Sequence, residues 1–329
     1  MIKPNFRPIE VLLGFMNESA QPTSTNRFGR LFLGMLVGNG VGAILCGLVW
    51  WISSRSREMG GVITIPSLFL IPIAIGLVAA WVWGPLELRI GRTILHSLTC
   101  SLLALGVAMV LFREGFICVI ILSPLLFGGV LAGTLLGRLR FRRDRTHFHP
   151  WLVLILVAAV LAEPAWRAPH QSVVMDELSI TAPPSVVWPH VLAFAPILDS
   201  PDYWLFHLGL PYPTETTNGG AFVGADRACR FSANAVFKER IVEFDPQRRL
   251  TFDIVESPPD PELIGHLDAY RGQFELRANP DGTTTLIGRT WYSLHVRPAF
   301  YFDWWTHDIF SAVHLRVMRN VKRLAEASQ

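Results

Sequence analysis

Residues 151–166 read WLVLILVAAVLAEPAW, and they divide a chain of 329 residues into two parts of different character. The residues before this stretch form long apolar runs, whereas those after it alternate between apolar and polar side chains. Its uncharged core has 12 residues, but residues 148–166 provide 19, which is enough to cross a thin bilayer. We predict that the stretch spans a membrane, and a shorter interfacial segment is the alternative.

Four apolar runs precede this stretch, each close to the ~20 residues that cross ~30 Å of hydrocarbon. They are residues 31–52, 62–83, 94–112 and 116–136. A hydrophobic fraction of 51% and a mean hydropathy of +0.36 are too high for an ordinary soluble protein, which supports this interpretation. We therefore predict a polar tail at residues 1–27 and a membrane α-helical bundle of about five spans at residues 28–166, placed in the cell (inner) membrane.

Two of the runs carry glycine at every fourth position, which lets helix backbones approach closely. The rows are Gly34, Gly38 and Gly42, and Gly129, Gly133 and Gly137. We expect these two helices to pack on each other or on a second copy of the chain, unless the glycines only reflect the composition of membrane helices. Asn39 and His96 lie inside the spans, and we interpret them as interhelical contacts rather than as a transport site.

The basic residues of the loops indicate the orientation of the chain. The N-terminal tail, the second loop and the fourth loop contain 11 Lys and Arg residues, and the opposite loops contain 3. We therefore expect the N-terminus in the cytoplasm and the C-terminal domain outside it. Residues 170–329 hold 14 basic and 19 acidic residues, and this acidic balance argues against nucleic acid as a partner.

Residues 171–329 are predicted to form a soluble α+β domain of antiparallel strands closed by a long helix. Strands are expected at residues 173–181, 213–218, 225–231, 235–241, 250–255, 270–277 and 284–296, and helices at residues 185–194 and 300–327. A turn centred on Ala233 would pair Arg227 with Glu239 and Cys229 with Phe237. The last helix carries an apolar stripe, which we expect to bury against the concave face of a curved sheet.

This order of elements, together with four local segments, resembles the START/polyketide cyclase superfamily, also called SRPBCC or helix-grip. The segments are GADRACRFS, FKERIVEFDPQRRLTF, YRGQFEL and VHLRVMRNVKRLAE, within residues 173–327. The resemblance implies an α+β helix-grip domain with a cavity between the curved antiparallel sheet and the C-terminal helix. Members include carriers of lipids and hydrophobic ligands, aromatase/cyclases and protein-binding modules, and they share no catalytic motif.

Charged side chains provide two candidate sites. Arg227 and Glu239 would share the face of the predicted hairpin that carries Cys229, where they could hold a ligand carboxylate or head group; a plain cross-strand salt bridge near the sheet edge is the alternative. Asp303, His307 and His314 fall on one side of the last helix, where either histidine could serve as an acid or base. The alternative is that both histidines only pack.

Aromatic side chains complete the candidate ligand site, since rings with polar tips suit an amphipathic molecule. We include Tyr203, Trp204, Tyr270, Tyr292, Trp304 and Phe310, although they would be equally ordinary in a core. No Cys or His spacing indicates a metal site, and no cofactor is expected.

Our first hypothesis from the sequence is a membrane-anchored domain that binds a lipid or another hydrophobic small molecule. An enzyme of the polyketide cyclase/dehydratase or hydrolytic type, using His307 or His314, is the second. A ligand-sensing or partner-binding module is the third.

Overall fold

The computed structural model describes residues 24–53, 65–112, 115–141, 170–259 and 266–328, and also 154–155, 158–159 and 162. Four long helices form its N-terminal part. They are α1 (Ser24–Ser53), α2 (Ile65–Trp83), α3 (Ile90–Phe112) and α4 (Phe116–Phe141), with a short 3-10 turn at Gly84–Leu86. All four are long and apolar enough to cross a membrane, so the four predicted runs are confirmed as helices.

The described chain therefore has four candidate spans, one fewer than the five expected. The predicted fifth span, at residues 151–166, lies largely outside the described residues. The positions that are described within it are helical, and Leu154 and Ile155 expose more than half of their surface.

Both glycine rows face α2, and the expectation that they pack on each other is wrong. A methyl group added at Gly133 would collide with the carbonyl oxygen of Ile73, and one added at Gly38 would collide with another carbonyl oxygen of α2. Gly76 of α2 leaves equally little room against the α4 backbone. Small residues on both sides of the contact thus let α2 approach its neighbours closely. A second copy of the chain would have to displace α2 to use these rows.

Polar side chains inside the bundle join helices, as we interpreted them from the sequence. The Asn39 amide of α1 donates to the carbonyl oxygen of Cys100 in α3 at 3.3 Å. The hydroxyl groups of Ser97 in α3 and Thr134 in α4 lie 2.7 Å apart. His96 contacts the Trp83 ring, with 5.9 Å between the ring centres.

The C-terminal part is a seven-stranded antiparallel sheet with three helices. The strands are β1 (His170–Ile180), β2 (Pro213–Asn218), β3 (Asp226–Phe231), β4 (Val236–Asp245), β5 (Arg249–Glu256), β6 (Leu267–Ala278) and β7 (Thr284–Leu294). The helices are α5 (Pro184–Leu192), α6 (Trp204–His207) and α7 (Ala299–Ala327). The strand order is β1-β7-β6-β5-β4-β3-β2, so the first strand pairs with the last and each other pair is a sequential hairpin.

The hairpin of β3 and β4 has the register that the sequence predicted. Arg227 pairs with Glu239 and Cys229 with Phe237. Ala233 lies in the turn with a φ of 56°, a left-handed conformation that reverses the chain. β4 continues to Asp245, four residues beyond the expected end, and its pairing with β5 is interrupted at two bulges.

Helix α7 lies along the sheet and buries the stripe that the sequence indicated. Val317, Met318, Val321 and Ala325 are almost fully buried against residues of the sheet and of α5. Arg319 and Arg323 remain exposed on the other side. The predicted helix-grip fold class is therefore confirmed, because the long C-terminal helix covers one face of a continuous antiparallel sheet.

A second apolar cluster connects the N-terminal apolar helices to this domain. Ile117 and Ile121, near the start of α4, pack with Leu294 and Phe302 of the domain. The Tyr301 hydroxyl donates a hydrogen bond of 2.6 Å to the carbonyl oxygen of Ile121. The sequence analysis did not anticipate this contact, because it joins segments about 180 residues apart that share no recognisable pattern.

Candidate functional site

A cavity of about 100 Å³ lies inside the domain, between α7 and the sheet. The sheet contributes Cys229, Phe237, Phe252 and Phe274 to its wall, and α7 contributes Phe310, Val313, His314 and Val317. We call it the inner cavity. Its wall is mainly apolar, so a molecule enclosed there would be stabilised chiefly by removal of its own apolar surface from water.

Arg227 and Glu239 bring two charges into this apolar wall. They form a cross-strand ion pair near the sheet edge, as the alternative had it, since β3 lies next to the edge strand β2. Only 4% and 6% of their surfaces are exposed, so the pair is buried. Arg227 Nε lies 3.0 Å from a carboxylate oxygen of Glu239. The alignment is not that of a hydrogen bond, and Arg227 Nε and Nη1 have no hydrogen-bond partner among the described residues.

The guanidinium group also stacks on an aromatic ring, with its central carbon 4.5 Å from the centre of Phe252. Burial raises the pKa of Glu239 to about 7, and the positive charge of Arg227 opposes this rise only in part. The result is a donor-rich group facing an apolar cavity, next to a carboxyl group that takes up a proton easily. Such a site can accept the oxygen atoms of a ligand head group.

His314 occupies the other side of the inner cavity and is held at both nitrogen atoms. Its Nδ1 lies 2.8 Å from a carboxylate oxygen of Asp176, and its Nε2 lies 2.7 Å from the Thr290 hydroxyl. Burial acts to raise the pKa of Asp176, but the hydrogen bond and charge of His314, with the Ser311 hydroxyl, bring that pKa below its usual value. The imidazole is therefore fixed between an acid and a hydroxyl group.

Asp303 does not belong to this group. Its carboxylate accepts a hydrogen bond of 2.7 Å from the Tyr292 hydroxyl and lies 3.3 Å from His170. The grouping of Asp303 with His307 and His314 that helix geometry indicated is replaced by two separate sets, because strands β1 and β7 supply nearer partners. His307 is partly exposed and lies two turns before His314 on α7.

Asp176 and Thr290 are the site residues that sequence reasoning missed. A signal was present for Asp176, because β1 alternates in burial and places Asp176 on the inward face with Val174 and Ile180. An acid on this inward face, between Val174 and Leu178, requires a partner. Nothing in the sequence indicated that the partner would be His314.

The predicted aromatic residues separate into three groups. Phe310 lines the inner cavity, and the fully buried Tyr292 packs against it with 5.4 Å between the ring centres. Tyr203 donates a hydrogen bond of 2.6 Å to Asp308 on the outer side of α7. Trp204, Tyr270 and Trp304 expose 47%, 38% and 62% of their surfaces and lie outside the inner cavity wall.

A second cavity, of about 110 Å³, lies at the contact between α4 and the domain. Ile117, Cys118, Ile121 and Leu122 of α4 form one side, and Leu294, Val296, Phe302, Trp305, Ile309 and Phe310 belong to the other. We call it the junction cavity. Phe310 lines both cavities, so a single side chain belongs to the two walls.

Metal binding has no support in the part of the chain that the structure describes, where no three His, Cys, Asp or Glu side chains are grouped to hold an ion. Cys229 in the inner cavity is unsuited to nucleophilic chemistry. Its burial, aided by the nearby Glu239 carboxylate, raises the pKa of the thiol to about 12, so the thiol stays protonated at neutral pH.

No protein-family profile and no curated protein matches this sequence. Solved structures do match its C-terminal half. A protein from Nitrosospira multiformis is 17% identical, over 46% of this chain and 94% of its own, with a TM-score of 0.32. Norcoclaurine synthase from Thalictrum flavum, solved in complex with dopamine and hydroxybenzaldehyde, is 13% identical over 49% of this chain and 90% of its own, with a TM-score of 0.35.

A protein from Mesorhizobium loti is 16% identical, over 48% of this chain and 99% of its own, with a TM-score of 0.33. At these identities and scores, the matches carry no inference about fold or function. The function has to be argued from the two cavities and their side chains.

Proposed function

We propose that this protein binds an amphipathic lipid or a similar hydrophobic molecule in the inner cavity, with the polar end of the ligand at Arg227. The observation that carries the proposal is the guanidinium group whose Nε and Nη1 lack hydrogen-bond partners among the described residues. An unmatched buried donor is costly for a folded domain, and a ligand oxygen would remove that cost. The apolar remainder of the wall suits the ligand's hydrocarbon part.

The neighbouring carboxyl group makes this site compatible with an acidic head group. With the pKa of Glu239 raised to about 7, a ligand carboxylate can pair with Arg227 while Glu239 takes up a proton. Fatty acids have this combination of one carboxylate and a long apolar chain. Fatty acids are therefore the ligand class that we propose for this site.

The placement of the domain outside the cytoplasm is part of the proposal. Arg138 and Arg140 lie at the C-terminal end of α4, whereas the domain contacts Ile117 and Ile121 at its other end. A helix of 26 residues is about 39 Å long, which is more than the hydrocarbon thickness of a bilayer. The domain and the arginine-rich end would thus lie on opposite sides of the membrane, in agreement with the charge bias of the loops.

Binding of radiolabelled palmitate to the full chain in detergent tests the proposal. Val313→Phe narrows the inner cavity and should weaken palmitate binding by about tenfold, since it removes space for two or more methylene groups. Val223→Phe makes the same change at a valine that is 60% exposed, and it should leave binding unchanged. If the folded wild-type chain shows no saturable palmitate binding, fatty acids are the wrong ligand class. An equal effect of both variants would contradict the site.

A second candidate, hydrolysis, is favoured by the row formed by Asp176, His314 and Thr290. An acid, an imidazole and a hydroxyl in this order occur in enzymes that activate a nucleophilic hydroxyl. Hydrolysis of a p-nitrophenyl acyl ester by the full chain tests this candidate, and Thr290→Val should abolish the activity while palmitate binding persists. Equal ester hydrolysis by wild type and Thr290→Val would rule this candidate out.

A further inference from the structure

The junction cavity has a position that the inner cavity lacks, because four of its fourteen lining residues belong to a helix that we place in the membrane. Ile117, Cys118, Ile121 and Leu122 lie within the first two turns of α4. These turns are close to the boundary between hydrocarbon and water if α4 spans the bilayer. The cavity is therefore at the depth where the acyl chains of one leaflet begin.

The wall that the domain contributes is as apolar as the α4 side. Leu294, Val296 and Phe302 are buried there. The start of α7 continues this apolar character to the surface, where Phe300 and Trp304 expose 79% and 62% of their side chains. Exposed aromatic rings at such a boundary are typical of protein surfaces that contact lipid.

Two polar groups in this wall are compatible with an uncharged or weakly polar ligand group. Trp305 Nε1 is buried and has no hydrogen-bond partner among the described residues, so it can donate to an ester or carboxyl oxygen. His266 Nδ1 lies 3.4 Å from Cys118 Sγ, and burial lowers the pKa of His266, which keeps the imidazole neutral. Neither group would repel an acyl chain that enters beside it.

Phe310 separates the two cavities. Its side chain lines both, and its ring packs on Tyr292 with the ring centres 5.4 Å apart. The inner cavity, at about 100 Å³, is smaller than the several hundred Å³ that a drug-sized ligand occupies. The junction cavity adds about 110 Å³ on the other side of Phe310, which roughly doubles the space open to a long chain.

We propose that the junction cavity receives the acyl chain of a membrane lipid directly from the adjoining leaflet, and that Phe310 is the partition the chain end passes to reach the inner cavity. This inference rests on the proposed function for the inner end of the route. It adds the source of the ligand and the site at which the ligand enters. The chain would never cross water, which removes the cost of exposing its methylene groups.

The experiment uses the full chain in vesicles of phosphatidylcholine and phosphatidylglycerol that contain a small fraction of phosphatidylcholine with a diazirine at the end of one acyl chain. After illumination, peptide mass spectrometry locates the labelled residues. We expect label in the segment from Phe302 to Phe310, and we expect added palmitate to reduce that label about tenfold. Label on lipid-facing residues such as Val110, which is 78% exposed, should not respond to palmitate.

Variants test the route. Ile309→Trp fills the junction cavity and should lower the palmitate-sensitive label about tenfold, whereas Ile94→Trp, at an isoleucine of α3 that is 42% exposed, should not. Phe310→Ala should shift label toward Val317 in the inner cavity. If Ile309→Trp fails to fold, Ile121→Trp narrows the same cavity from the α4 side.

The outcomes separate this inference from the proposed function. Palmitate-insensitive label in the wild-type chain, or unchanged label in a folded cavity-filling variant, overturns entry at the junction. The proposed function would not be overturned by that result, because it is tested separately by palmitate binding in detergent. Conversely, the label at the junction cavity could respond to palmitate while Val313→Phe leaves palmitate binding unchanged. That result supports the entry site at the junction cavity and contradicts the binding site in the inner cavity.

Discussion

Two sets of polar side chains at the inner cavity differ in how completely their polar atoms are matched. His314 has a partner at each ring nitrogen, Asp176 and Thr290. Arg227 and Glu239 are close enough for an ion pair but keep atoms without hydrogen bonds among the described residues. A satisfied network stabilises a fold, whereas an unsatisfied one is costly until something else is bound. We therefore assign the first to stability and the second to the ligand.

His314→Ala should lower the stability of the domain by about 2 kcal/mol, because it removes the main partner of the half-buried Asp176 carboxylate. His307→Ala, two turns earlier on the same helix at a partly exposed position, should change stability by less than about 0.5 kcal/mol. Thermal unfolding of the full chain in detergent, followed by tryptophan fluorescence, measures both. A His314→Ala chain that melts like wild type but loses ester hydrolysis would instead favour the enzyme.

Glu239→Gln should change the pH dependence of stability. Burial raises the pKa of Glu239 from 4.5 to about 7, so between these values the folded domain keeps a proton that the unfolded chain has released. Stability contributed by this group is therefore full below about pH 4.5, falls as pH rises to about 7 and is constant above that. Glu239→Gln should abolish this fall in melting temperature.

The control for that measurement is Glu256→Gln, the same change at a glutamate paired with Lys238 on the exposed surface. It should retain the wild-type pH profile. A wild-type melting temperature that does not fall between pH 4.5 and 7 would mean that Arg227 holds Glu239 ionised, in spite of its burial.

At the scale of elements, α2 and α7 have corresponding roles in the two halves of the chain. Helix α2 lies against both α1 and α4 through glycine contacts. Helix α7 covers the sheet and also forms the domain side of the junction cavity. Each of these two helices contacts several other elements at once. Changes in them should therefore affect the whole chain more than changes in the helices or strands at the edge.

Gly133→Ala should destabilise the membrane bundle by about 2 kcal/mol, because the added methyl group meets the Ile73 carbonyl oxygen and pushes α2 away from α4. Gly128→Ala, on the same helix with open space around the new methyl group, should be neutral or slightly stabilising. Thermal aggregation of the full chain in detergent compares the two. Equal melting behaviour would show that the helices of the bundle adjust without cost.

At the scale of the whole molecule, α4 joins the C-terminal domain to the other apolar helices, because its two ends have different contacts. Tyr301 and Phe302 of the domain contact the Ile117 end of this helix, and Arg138 at the other end contacts Leu88 and Thr93. The fifth span predicted from residues 151–166 lies largely outside the described residues and stays a prediction.

Single cysteines at positions 143 and 328 should report opposite sides of the membrane. In intact cells, a membrane-impermeant thiol reagent should label a cysteine replacing Ser328 and spare one replacing Arg143. The background lacks all four native cysteines, Cys46, Cys100, Cys118 and Cys229. Permeabilised cells provide the control, in which both positions should react. Equal protection of both sites in intact cells would place the domain in the cytoplasm.

Patterns among neighbouring residues were enough to predict the elements and their local pairing. The lengths of the apolar runs predicted α1 to α4, and the alternation around Ala233 predicted the register of Arg227 with Glu239. The apolar stripe from Ile309 to Leu324, which includes Val317 and Val321, predicted the side on which α7 packs. These properties depend on residues close together in the chain, where the period of a helix or strand decides which side chains share a face.

The contacts between distant groups could not be predicted in this way and became visible in the folded chain. The tertiary structure paired His314 with Asp176 of the first strand rather than with Asp303 of its own helix, directed both glycine rows to α2, and placed Ile121 against Phe302 to enclose the junction cavity. Each of these contacts joins segments far apart in the chain, and apolar or polar character alone allows many such pairings. The selection is made by packing the complete set of helices and strands at once, since one close fit excludes the others.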